Sequence, residues 1–120
     1  MSGCAAATTS SGKFQGDQKA VAKVVDDLAQ AGRRKDPQKI CTELLAASLV
    51  ARLKAGGTDC VGEMTKAIDD TDDFDLDVRS VDVRGTQASA VVRQGSKGPT
   101  ATFTFAKEGG GWRATGLGGG

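Results

Sequence analysis

The sequence predicts an α+β domain: three N-terminal helices packed on a curved, four-stranded antiparallel sheet. Three observations carry that prediction. Apolar residues in the first half recur at helical spacing, and from Asp73 the period switches to two. The two kinds of segment are also segregated along the chain, which puts helices on one face of an antiparallel meander rather than between parallel strands.

The first helix is expected to start at Asp17, an acceptor suited to a free helix N-terminus. Ala20, Val21, Val24, Val25 and Leu28 share one face, while Lys19, Lys23, Asp26 and Asp27 share the other. The pattern runs to about Gly32, where Arg33, Arg34 and Lys35 complement the carbonyl end of the helix. Asp36-Pro37 starts the second helix, an N-cap followed by proline at the first helical position. Ile40, Cys41, Leu44 and Leu45 form its stripe, and Leu49, Val50 and Leu53 continue it past a kink near Ser48. Gly56-Gly57 ends it. Thr58 or Asp59 then caps a third helix, with Cys60, Val61, Met64 and Ile68 facing inward.

Phe74, Leu76 and Val78 alternate with aspartates, and Val81 and Val83 resume the alternation out of phase. One extra residue near Arg79-Ser80 is the signature of a β-bulge. Ala88, Ala90 and Val92 mark the second strand, Ala101, Phe103 and Phe105 the third, and Trp112 to Thr115 a short fourth. Glycine-bearing turns separate them, the last at Gly109 to Gly111.

The composition narrows the function classes. The chain has 120 residues, one domain by length, with 16 basic and 15 acidic side chains and a net charge of +1. That balance gives no electrostatic footprint for nucleic acid. No apolar run reaches membrane-spanning length. Histidine and tyrosine are absent, which removes the commonest acid–base group.

The three cysteines are Cys4, Cys41 and Cys60. Their spacing fits no zinc site, and no histidine stands ready to activate a thiol. Ser2-Gly3-Cys4 resembles the end of a bacterial lipoprotein signal, in which the cysteine carries the lipid. Met1 stands where that signal has leucine, so the expectation is a chain that starts at the edge of its signal. On this resemblance Cys4 is the lipidation site of the natural precursor, and the domain is anchored outside the cytoplasm. Residues 5–16 read as the rest of a tether spanning 1–16, the folded domain as 17–117, and 118–120 as a frayed tail. Cys41 and Cys60 then remain to pair as a disulfide, against the alternative of two buried free thiols. Closing that loop stabilises a fold by about 3 kcal/mol on the chain-entropy account.

The element order, the run Ile40 to Leu45 after Asp36-Pro37, the glycine break before Cys60 and the closing Gly111-Trp112-Arg113 strand resemble small secreted actinobacterial lipoproteins with an NTF2-like (cystatin-like) domain. The resemblance implies a cone of bent sheet around a long helix, often with a pocket at its wide end. It departs from that family between the second and third helices, where only Lys54 to Asp59 is available for the usual short strand. Val24, Leu28, Phe74, Phe103, Phe105 and Trp112 are the candidate lining of such a pocket.

The expected function is a non-catalytic, surface-anchored binding or accessory domain without cofactor or metal. Its partner is a small apolar ligand or a protein. The alternatives are an interaction module without a pocket, dimerising through the sheet, and an isomerase- or dehydratase-like enzyme using a buried carboxylate. Asp69, Asp70, Asp72, Asp73, Asp75 and Asp77 invite a calcium reading, but the EF-hand glycine and glutamate positions are not filled. A solvated acidic strand that resists sheet aggregation is the better reading.

Overall fold

The computed structural model describes residues 14–71, 74–95 and 98–117. The expected tether, Cys4, Asp72, Asp73 and the tail fall outside or largely outside those residues. The fold is α+β, with four antiparallel strands in one sheet of order β1-β2-β3-β4.

Helix α1 (Gly16–Arg33) buries Val21, Ala22, Val24, Val25, Leu28 and Ala29 along one stripe. Its start differs from expectation. Gln15 occupies the N-cap position without a capping side chain, and Asp17 lies in the first turn. There its charge still complements the amide end of the helix, with Lys107 Nζ 3.8 Å away.

The second helix is where the sequence reading needs correcting. Instead of one kinked helix there are two, which makes four helices among the described residues rather than three. Asp36 caps α2 (Pro37–Lys39), accepting from the Lys39 amide at 3.2 Å. The chain then widens into a π-helical turn over Ile40–Leu44, closed by Leu45 N–H donating to the Ile40 carbonyl. Leu45 and Ala46 are extended, and α3 (Ala47–Ala55) begins afresh. The cause is tertiary. Leu45 forms a short parallel bridge beside Ala114, and Ala46 N–H donates to the Ala114 carbonyl at 2.7 Å. Both residues are buried, at 1% and 0% exposure, so edge pairing with the sheet wins over helix continuation. After a turn at Gly56-Gly57, Asp59 caps α4 (Cys60–Asp69) by accepting from the Gly62 amide at 2.9 Å.

The strands are β1 (Leu76–Arg84), β2 (Gln87–Gln94), β3 (Thr100–Glu108) and β4 (Gly111–Leu117). β1 carries the expected bulge: Val78 pairs with Val92 and Ser80 with Val91, leaving Arg79 as the extra residue. A second irregularity was not expected. Thr104 pairs with Gly116 but Phe105 with Ala114, so Thr115 is the extra residue in β4. It shifts the inward row of β4 from Trp112 and Ala114 to Leu117 and lengthens the strand beyond Thr115. Gly109 and Gly110 both take positive φ, +58° and +87°, and form the two-residue turn between β3 and β4.

The helices cover one face of the sheet. The core lies between α1 and the inward rows, including Val78 and Val81 of β1, Ala90 and Val92 of β2, and Phe103 and Phe105 of β3. The small side chains Ala88 and Ala90 are both buried on the central strand. Both sheet edges are partly covered. Gln18 Nε2 donates to the Val81 carbonyl on β1, and Arg52 donates to the Thr115 carbonyl on β4.

Candidate functional site

Cys41 and Cys60 form a disulfide with their Cα atoms 6.1 Å apart. It joins the π-helical turn to the first residue of α4 and encloses all of α3. Both sulfurs are committed to this bond, and Cys60 is 8% exposed.

One end of the helix–sheet interface is filled and the other is not. At the other end lies a cavity of about 240 Å³ that opens to solvent, with Ala67 and Thr71 exposed at its rim. Leu28, Ala29 and Gly32 of α1 form one wall, with Ile40 beside them. Met64, Ala67 and Ile68 of α4 form a second wall, extended by Thr71 and Phe74. Leu76, Gln94, Phe103 and Leu117 provide the sheet floor, one residue from each strand. Helical spacing puts Met64 and Ile68 on one face of α4, and that face borders the cavity.

Of the six candidate lining residues, Leu28, Phe74 and Phe103 come together at this cavity. Val24, Phe105 and Trp112 do not. They are buried at 8%, 2% and 7% exposure in the core away from it. Lys107 Nζ stands 5.7 Å from the centroid of the Trp112 ring, its cross-strand partner. The buried Trp112 Nε1–H meets no acceptor among the described residues.

Phe74 precedes β1 and owes its place to a glycine. A Cβ at Gly32 would come within 2.6 Å of Phe74 Cδ1, so only the bare backbone of α1 admits the ring. The neighbouring residues fasten the same junction. Arg33 donates to Asp75 at 2.9 Å, and Gly95 N–H donates to the Asp75 carbonyl at 2.7 Å.

Gln94 was not singled out from sequence, although the signal was present. It continues the inward row Ala88, Ala90, Val92 at a position where an apolar residue is the rule. Leu117 was hidden by the β4 bulge, which reverses the phase of the strand.

Other surfaces carry less. A wider depression of about 520 Å³ lies between α3 and the β3–β4 turn. Two of its charged groups are already engaged: Arg113 donates to the Thr42 carbonyl at 2.9 Å, and Glu108 accepts from the Ala47 amide at 3.3 Å. The outward sheet face bears Asp82, Arg84, Ser89, Thr102 and Thr104, so it offers no continuous apolar patch. Asp75 and Asp77 each bond an arginine, Arg33 and Arg79. Among the described residues no three potential metal ligands cluster, and no Asp or Glu is fully buried. No helix among them is long and apolar enough to cross a membrane.

Fold and site together define a small disulfide-bonded α+β domain with an apolar cavity between helices and sheet. Comparison of the chain with protein-family models, with curated proteins and with solved structures finds no match in any of the three.

Proposed function

We propose that this chain is a non-catalytic, extracytoplasmic binding domain that takes a small apolar ligand in the cavity between α1, α4 and the sheet. The carrying observation is the cavity itself, which stands unfilled in a domain whose remaining helix–sheet interface is packed. The cleft leaves Met64, Phe74, Leu76 and Leu117 only half-buried, apolar surface that an occupant would cover. The disulfide supports an oxidising compartment. Among the described residues no charged side chain lines the cavity, which favours binding over acid–base chemistry, because the isomerase-like alternative requires a carboxylate there. The polar outward face of the sheet weighs against dimerisation through it.

The NTF2-like reading belongs to this proposal. It rests on helices covering one face of a bulged four-stranded meander, with the cavity at one end. So does the lipid anchor at Cys4, which would hold the domain at the outer surface of the membrane.

The test is a xenon titration followed by methyl NMR. Selective shifts at Leu28, Met64, Ile68 and Leu117, with Val21 and Val25 unmoved, are expected. Equal shifts throughout, or none at the cavity, would remove the pocket and leave an interaction module.

A further inference from the structure

Resting on that reading, we infer that the cavity selects a small uncharged amphiphile, an apolar body bearing one hydroxyl or carbonyl group that hydrogen-bonds to Gln94. Three features of the wall argue this.

The first is size. The volume of about 240 Å³ lies below the range of drug-sized sites, about 300–1,000 Å³. Scaling from an apolar cavity of about 150 Å³ that holds benzene gives an occupant of about ten non-hydrogen atoms.

The second is charge. Every described side chain on the wall is uncharged. Arg33 and Asp75, the residues following Gly32 and Phe74, are bonded to each other. An ionised headgroup drawn inside would lose its hydration and find no counter-charge on the wall.

The third is polarity at one place. Among the described residues, Thr71 and Gln94 are the only hydrogen-bonding side chains on the wall. The Thr71 hydroxyl proton is committed to the Ala67 carbonyl at 2.7 Å, which leaves its oxygen as an acceptor. The Gln94 amide carries both donor and acceptor atoms and makes no side-chain hydrogen bond to a described residue. It ends the inward row of β2, opposite Leu76, and is half-buried at the mouth of the cavity. A ligand hydroxyl or carbonyl is the group it can receive. Phe74 and Phe103 flank the apolar body.

The experiment compares 1-octanol, octanoate and xenon on the full chain at neutral pH, read at the Ile68 and Leu117 methyls. Octanol is expected to bind at least about tenfold more tightly than octanoate, whose charge resists desolvation. Gln94→Leu is expected to weaken octanol about fivefold, the equivalent of one neutral hydrogen bond, while the xenon response stays unchanged. Gln94→Met, similar in volume, gives the same result and guards against a packing artefact. Octanoate matching octanol, or octanol indifferent to both Gln94 variants, overturns the headgroup assignment while leaving the cavity reading intact. Xenon without effect on the cavity methyls of the wild-type chain overturns the cavity reading itself.

Discussion

Phe103 and Phe105 are two residues apart on the same face of β3, yet only Phe103 borders the cavity. Phe105 is enclosed at 2% exposure, whereas Phe103, at 4%, presents to a cavity. The same split runs along α1, where Val24 lies in the filled core and Leu28, one turn on, borders the open end. Burial alone therefore does not distinguish packing from lining. What differs is the far side: Phe105 meets core on every side, and Phe103 faces space that α4 and Phe74 do not fill.

The largest expected effect tests that difference directly. Phe105→Ala should cost about 3–5 kcal/mol in denaturant unfolding, the range for a large aromatic removed from a close-packed site. Phe103→Ala should cost at least about 1 kcal/mol less, because its ring has fewer packing partners to lose. Equal losses would mean that the cavity end is as tightly packed as the filled end.

The disulfide comes next. Cys41→Ser with Cys60→Ser should lower stability by about 3 kcal/mol on the loop-entropy account, for a separation of 19 residues. Because Cys60 opens the helix that walls the cavity, hydrogen exchange should rise along α4 before it rises in α1 or β3. A uniform rise would place the clamp's effect on the whole domain rather than on the open end.

Gly32→Ala should destabilise by about 1–3 kcal/mol, as overpacking does when a neighbour must move. The new methyl meets the Phe74 ring, so adding Phe74→Ala should recover part of the loss relative to the sum of the single changes. Additive losses would show that Phe74 does not rest on Gly32.

The contrast between the two ends also explains what was legible in the sequence. Period three-to-four and period two located α1, α4 and all four strands, because each element buries one face. The phase slip after Val78 even placed the first bulge. Asp36, Asp59 and the pairing of Cys41 with Cys60 were readable because their chemistry is local or leaves few partners. The break at Leu45-Ala46 was not, since both residues fit a helical stripe and only the edge of β4, about 70 residues away in sequence, draws them out. The cavity was half legible for a related reason. Periodicity says which face Val24, Leu28, Phe103 and Phe105 turn inward, but not how far α4 leans over each. The lipid anchor expected at Cys4 falls outside the described residues.

The smallest effect concerns the start of α4, where a cap and a covalent bond act on neighbouring residues. Asp59 accepts from the Gly62 amide at 2.9 Å, and Cys60 is bonded to Cys41. An aspartate cap replaced by alanine costs about 1 kcal/mol in ordinary helices. Here the disulfide already holds the first helical residue in place, so Asp59→Ala in the oxidised protein should fall at the low end, about 0.5 kcal/mol. In the background lacking both cysteines, the end of α4 is free to fray and the cap has more to prevent. The same substitution should then cost about 1 kcal/mol, a coupling measurable by a double-mutant cycle. If the two costs are equal, the bond does not order the N-terminus of α4. The wall of the cavity would then depend on the packing of Met64 and Ile68 rather than on its covalent anchor.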